Sequence, residues 1–337
     1  MIKCKTQNCR NHPVFSSEFC WEHITDKETY RERLREILEN RLSLKGANFA
    51  KADLSNFDLS RQDLSAANFS RSNLSFSSLF DTDLRNAELL GADFSGSDLT
   101  SSNLEGCDLT RSSLSGARLW HANLKNANLI EANLNQCDLW NAKLFNARLW
   151  RTNLLEVVSL SKKNFRGRTM RHFNAYRINE KGVMSAEEAY RSLKKHFITS
   201  GKYNDASWAS FKEKTMERLL LKKKRNPAYL PSLIMDFLCG YGEKPHRIIL
   251  SSLFVILGYA TAYLLLDAIL YTPSIEYHMS ISDYVYYSGI TFTTVGYGDF
   301  IPKASSLFRF LAASEAFIGT FMMGLFIFTL ARKYSAR

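Results

Sequence analysis

From Phe49 to Leu154 every fifth residue is Leu or Phe, and two residues before each stands Ala, Ser, Thr or Cys, the departures being Phe57 and Gln62. A period of five fits no ordinary element. On a helix each Leu would rotate about 140° from the last, and on a flat strand an odd period alternates faces. The chain must turn a corner once per repeat to keep every Leu inward. Four corners make a square coil of about twenty residues, with Leu or Phe at its centre and the small residue where the wall bends. Such coils stack and hydrogen-bond along one axis. At a ladder spacing of about 4.8 Å the rod is on the order of 26 Å long.

Elsewhere the pattern changes. Tyr30, Leu34, Ile37, Leu38 and Leu42 at helical spacing predict a short connecting helix over 26–43. Residues 185–224 read as a helical hairpin, Ala186, Tyr190, Leu193 and Phe197 on one arm and Trp208, Phe211, Met216, Leu219 and Leu220 on the other, broken at Ser200-Gly201. Leu230, Leu233, Ile234, Phe237 and Leu238 are too few for a span and predict an interfacial segment. Two long apolar runs follow, Ile248 to Leu270, interrupted only by Asp267, and Leu307 to Leu330. Each is long enough to cross a bilayer. Between them Tyr284 to Thr293 can form a short helix, followed by Thr293-Thr294-Val295-Gly296-Tyr297-Gly298-Asp299. Irregular backbone at membrane depth is tolerated where it lines a water-filled path.

Composition sharpens this division. The 337 residues carry a formal net charge of +11. Residues 157–247 hold 20 Lys+Arg against 8 Asp+Glu, while 44–156 hold 11 against 13. A basic block beside a span stays on the cytoplasmic side, so both termini are expected in the cytoplasm and the protein in the cell membrane as a multi-pass chain. Lys222, Lys223, Lys224 and Arg225 suit anionic lipid headgroups, and their position against a span favours lipid over nucleic acid as the partner. The first apolar stretch is Val14-Phe15, so no signal peptide is expected.

Cys4, Cys9, Cys20 and His23 offer three thiolates and an imidazole, a closed tetrahedral set for a structural zinc, with His12 as a possible substitute ligand. Disulfides are not expected in a cytosolic segment. The sequence offers no phosphate-binding glycine loop, nucleophile with its base or open metal site, so an enzyme is not expected. Trp120 and Trp140 lie one coil apart on the same outward position, two coils beyond Phe80, while Ile130 and Trp150 stack on the opposite wall. They offer a docking surface for a ligand, another protein or subunit, or the chain's own following segment.

The repeats, such as Ala-Asn-Leu-Ile-Glu at 127–131 and Ala-Asp-Leu-Ser-Asn at 52–56, resemble the pentapeptide-repeat family. That resemblance implies a right-handed quadrilateral β-helix. Its acidic, DNA-imitating relatives are a poor comparison, given the near-balanced charge of 44–156. The segment Thr294, Val295, Gly296, Tyr297, Gly298 between two spans resembles the two-transmembrane potassium channels and their selectivity filter. The resemblance implies K⁺ as the permeant ion and a homotetramer, with Asp299 at the outer mouth and Tyr286, Tyr287, Ile290 and Thr293 supporting the filter. Ile290 stands where some relatives carry a Glu that braces the aspartate after the filter.

Gly319 is the favoured inner-helix hinge, with Gly324 the alternative and close packing a third role for either. Glu315 reads as a brace needing a hydroxyl partner at Ser288, Thr291 or Thr293, and Met322, Met323, Phe326 and Leu330 could form an apolar gate. The expected fold is multidomain. It comprises a zinc-binding motif at 1–25, a connecting helix at 26–43, the β-helix at 44–156, a basic helical linker and interfacial segment at 157–247, and an α-helical pore domain at 248–337. Within the pore domain the spans fall at 248–270 and 307–330, and the pore helix and filter at 282–300. The competing functions are a membrane-anchored scaffold with a non-conducting pore and a less selective cation channel.

Overall fold

The computed structural model describes residues 3–7, 9–39, 44–166, 180–272 and 277–335. They divide into two compact units, Met1–Leu220 and Leu221–Arg337.

The first unit is built on the square coil. Parallel bridges join residues twenty apart, from Asn48↔Asn68 to Asp138↔Val158. The central residues from Leu44 to Leu139 are essentially inaccessible to solvent. Each corner is a turn in which the residue two after the central one has positive φ, as at Lys51, Asn56 and Arg61, and the next N–H returns to the central carbonyl, as from Ala52 to Phe49 at 3.0 Å. The small residue that closes the turn is buried, which explains its restriction to Ala, Ser, Thr or Cys. Buried hydroxyls there bond back to backbone, Ser72 Oγ to the Phe69 carbonyl at 2.7 Å and Thr82 Oγ1 to the Leu59 carbonyl at 2.9 Å.

The two ends of a stack expose unpaired backbone and need covers. At the first coil the Phe15 N–H reaches the Asn48 carbonyl at 2.7 Å, and Asn48 Nδ2 donates to the Pro13 carbonyl at 2.7 Å. Helix α1 (Lys27–Glu39) adds Arg31, which donates to the carbonyls of Asp53 and Ser55. Residues 40–43 of the expected connecting helix, Leu42 among them, lie outside the described residues. At the last coil Asn164 Nδ2 donates to the carbonyls of Leu139 and Ala142, both at 2.9 Å. Helices α2 (Glu180–Thr199) and α3 (Tyr203–Lys223) form the expected hairpin. Ala189, Leu193 and Phe197 join the same core as the coils. Arg191 and Lys194 of α2 flank the buried Glu213 of α3 at 2.9 and 3.3 Å.

The second unit contains α4 (Tyr229–Cys239), α5 (Pro245–Leu266), β1 (Ile269–Tyr271), α6 (Ile281–Phe292), β2 (Phe300–Pro302) and α7 (Ser306–Ser335). The helices α5 and α7 are long and apolar enough to cross a membrane. The first ends sooner than the apolar run suggests. Asp267 takes a left-handed conformation that terminates α5 at Leu266, and Ile269 and Leu270 leave the helix to pair antiparallel with Pro302 and Ile301. Asp267 is therefore the end of the span and not an interruption within it. Helix α6 starts at a capping box, Ser280 and Asp283 satisfying each other's backbone N–H.

Candidate functional site

Helix α6 delivers the chain into 294–298 through its last turn. The Ile290 carbonyl accepts the Val295 N–H at 2.9 Å, and Thr293 Oγ1 donates to the Gly289 carbonyl at 2.8 Å. Beyond it φ is positive at Thr294, Gly296 and Gly298 and not at Val295 or Tyr297. Alternation of positive with ordinary φ is a pattern that lets successive carbonyls face one side. Gly296 and Gly298 meet this demand without a Cβ penalty. Val295 and Tyr297 are 53% and 73% exposed in the single chain.

The flank of this segment is tied to the first span. The Thr272 N–H donates to the Asp299 carbonyl at 2.9 Å, continuing the β1–β2 pairing, and Thr272 Oγ1, with one hydrogen to give, lies 3.0 and 3.1 Å from the Gly298 and Asp299 carbonyls. Lys303 pairs with Asp267, which its hydrogen bond and charge hold below the ordinary carboxylate range. Tyr287 is buried with Tyr263, Tyr284, Ile290 and Phe300 in one cluster. Tyr286 instead packs against Phe300 at 5.8 Å between ring centres.

Among the inner-helix residues the structure separates roles that sequence left together. A Cβ on Gly319 would lie 1.9 Å from the Phe292 carbonyl oxygen, whereas one on Gly324 meets nothing within 4 Å. Gly319 is thus a close-packing glycine against the end of α6, and α7 runs through both glycines without a break. Met322 is buried with Cys239, Ile248 and Phe292, and Phe326 packs against that cluster, while Met323 is exposed. Of the hydroxyls considered for Glu315, Ser288 is the one that contacts it. Its second partner is Tyr263 at 2.7 Å, which sequence reasoning missed because the pair is 52 residues apart.

The ligand atoms of Cys4, Cys9, Cys20 and His23 all lie within 4.8 Å of one another. Cys9 and Cys20 sulfurs are 3.8 Å apart, and His23 Nδ1 lies 3.2 Å from Cys20 Sγ and 3.5 Å from Cys4 Sγ. Tetrahedral zinc with Zn–S bonds of about 2.3 Å needs sulfurs about 3.8 Å apart, so the set fits that ion. Burial acts to raise the Cys4 thiol, but hydrogen bonds with Thr6 and the Cys20 backbone outweigh it and bring it down to about 6. By contrast, burial pushes Cys107 and Cys137 in the coil walls up to about 12, as inert thiols.

The two expected aromatic walls differ. Trp120 and Trp140 meet edge to face at 6.0 Å, 37% and 49% exposed, whereas Trp150 Nε1 donates to Glu188 of α2 at 2.5 Å. In the second wall Trp150 is thus held by the chain's own helix.

Residues 250–336 match the family described as "Ion channel", and 43–75, 77–116 and 112–151 match "Pentapeptide repeats (8 copies)". No curated protein matches the chain. Similar solved structures include a pentapeptide repeat protein from the Arabidopsis thaliana thylakoid lumen, at 25% identity over 32% of this chain and 70% of that one, TM-score 0.27. Another, from the cyanobacterium Cyanothece, shares 23% identity over 38% of this chain and 94% of that one, TM-score 0.29. A third, from Nostoc, shares 31% identity over 31% and 76%, TM-score 0.23. The channel match falls on both spans with the segment between them, and the repeat matches fall on the stacked coils, which defines a membrane channel domain joined to a β-helix. The chain is a pentapeptide-repeat protein whose C-terminal part is a two-transmembrane ion-channel domain.

Proposed function

We propose that four copies of this chain form a K⁺-selective channel that conducts passively across the cell membrane. The observation that carries this reading is the alternating hand of the backbone from Thr294 to Gly298, in a Thr-Val-Gly-Tyr-Gly segment between two spans. Carbonyls of Thr294, Val295, Gly296 and Tyr297 replace the hydration shell of K⁺, and the Thr294 hydroxyl adds the innermost ring. One chain supplies one wall, and closure of the ring requires fourfold symmetry. The exposure of Val295 and Tyr297 supports this, since neighbouring copies would cover them. The C-terminal end of α6 adds a partial negative charge toward the path, and Asp299 a full one at its mouth.

The β-helix serves as a cytosolic assembly or regulatory domain. Its open Trp120–Trp140 wall is the docking surface for a ligand or protein, and a zinc held by Cys4, Cys9, Cys20 and His23 fixes its N-terminal cover. Lys222 to Arg225 meet anionic headgroups at the inner leaflet, next to the exposed Leu230, Ile234 and Phe237 of α4. Both termini are cytoplasmic. The test is K⁺ and Na⁺ flux into liposomes holding the full-length protein and its Gly296→Ala variant. Selective K⁺ flux in the parent and none in the variant is expected. Equal K⁺ and Na⁺ flux would replace the reading with a less selective cation channel, and flux insensitive to Gly296→Ala would remove the filter from it.

A further inference from the structure

Glu315 is completely buried on α7, at a depth where an unpaired carboxylate is costly. Its partners among the described residues are two neutral hydroxyls, Tyr263 of α5, which donates to Oε2 at 2.7 Å, and Ser288 of α6, in contact with Oε1. Among the described residues the other titratable groups beside them are Tyr287 and Tyr259, their rings 5.0 and 6.2 Å from that of Tyr263. Ser288 Oγ also lies 2.8 Å from the Ile256 carbonyl of α5, which can only accept. A serine hydroxyl has one hydrogen and here faces two acceptors. If Ser288 donates to Ile256, the contact with Glu315 needs a hydrogen from the glutamic acid. If Ser288 donates to Glu315 instead, a full negative charge is left in an apolar core with no cation to offset it.

We propose that Glu315 is held as the neutral acid and acts as a positioning residue for the filter. The acid donates to Ser288, Ser288 to the Ile256 carbonyl, and Tyr263 to Oε2, a relay that ties both spans to the pore helix. Ser288 stands two residues before Ile290, whose carbonyl holds the Val295 N–H, so the relay fixes the turn of α6 that sets the filter's entry. The inference rests on the proposed role of 294–298, since it is the position of that segment that the relay controls.

Full-length protein reconstituted in phospholipid vesicles provides two independent readouts. Infrared spectra at neutral pH should show a protonated carboxylic-acid carbonyl band that vanishes in Glu315→Gln and shifts in Ser288→Ala. The K⁺/Na⁺ permeability ratio, from reversal potentials in planar bilayers, should be kept in Glu315→Gln, whose amide can donate to Ser288 and accept from Tyr263. It should fall by about tenfold in Glu315→Leu, and in the same direction by less in Ser288→Ala, because buried partners are left unpaired. Absence of the acid band, or an unchanged ratio in both Glu315→Leu and Ser288→Ala, would overturn the proposal. If the parent protein shows no preference for K⁺ or no current, the filter assignment fails separately, and the infrared comparison of the three proteins then decides the relay.

Discussion

The rod and the pore both hold backbone in the left-handed region, and they support it differently. In the coils the positive-φ residues are often Arg, Asn or Lys, and their N–H groups bond to the next coil, Lys51 to the Ser70 carbonyl at 2.9 Å and Arg61 to Phe80 at 2.8 Å. In the 294–298 segment two of the three are glycines, and the side chains between them are open to solvent in the single chain. A left-handed non-glycine residue costs roughly 1–2 kcal/mol, and a ladder of mutual hydrogen bonds offsets it. The rod obtains its partner nineteen residues further along its own chain. On the proposed reading the filter finds its partners in other copies, so the rod tolerates sequence variation at its corners where the filter does not.

The largest break in that comparison is expected from Gly319→Ala. The new Cβ would meet the Phe292 carbonyl oxygen at 1.9 Å, and both atoms belong to helical backbone, which gives little. Helix α6 must shift with the 294–298 segment that follows it, and on the proposed reading K⁺ flux should fall to background. Gly324→Ala, with nothing within 4 Å of its Cβ, is the matched control and should leave flux near the parent level. Equal effects of the two substitutions would make hinge freedom, and not packing, the reason for glycine in α7.

The next effect belongs to the rod. Truncating a central side chain such as Leu99→Ala removes fully buried methyl groups from a closed coil, at a cost of about 2–5 kcal/mol. All five tryptophans, Trp21, Trp120, Trp140, Trp150 and Trp208, lie in the first unit, so fluorescence-detected denaturation of the full chain reports on that unit. A smaller loss is expected from Asp98→Ala. That carboxylate accepts the Thr100 N–H at 2.9 Å and pairs with Arg118 of the next coil at 3.2 Å, both near the surface, and about 1 kcal/mol is at stake. Substituting an outward residue without such bonds, such as Ser101→Asn, should change the midpoint little.

These residues also mark how far sequence could be read. The five-residue period specifies the rod because one-dimensional repetition leaves a single way to keep Leu99 and its equivalents inward. The Asp or Asn that so often precedes the central residue was less legible. Its role, accepting the N–H two residues on as Asp53 does from Ser55 at 3.1 Å, depends on a local turn that the period does not describe. In the pore the motif at 294–298 and the apolar runs were visible, but the end of α5 was not. Hydropathy cannot distinguish Leu266 inside a helix from Ile269 in a strand when both are apolar, and the decision fell to the cap at Asp267. Gly319 and Tyr263 act across packed helices, where sequence separation hides who meets whom.

The smallest expected effect is at the covered end of the rod, and it is set by pH. His196 of α2 is buried beside the last coils; burial holds its imidazole below the ordinary value and nearby Lys202 adds to this, while a hydrogen bond to the Leu154 backbone opposes it. Its Nε2 has no hydrogen-bond partner, so a proton there would have nowhere favourable to point. The unfolded chain therefore takes up that proton more readily than the folded one. Stability from this contact is complete above the unfolded histidine value of about 6.5 and is lost as pH falls toward and through the lower folded value. Tryptophan-detected melting of the full chain should drop between pH 7 and pH 5.5, and the drop should shrink in His196→Gln, which keeps a polar side chain of similar reach but cannot titrate. A pH response identical in parent and variant would move its origin away from α2. The Cys9–His23 cluster at the opposite end would then be the place to look, with a chelator at fixed pH as the discriminating addition.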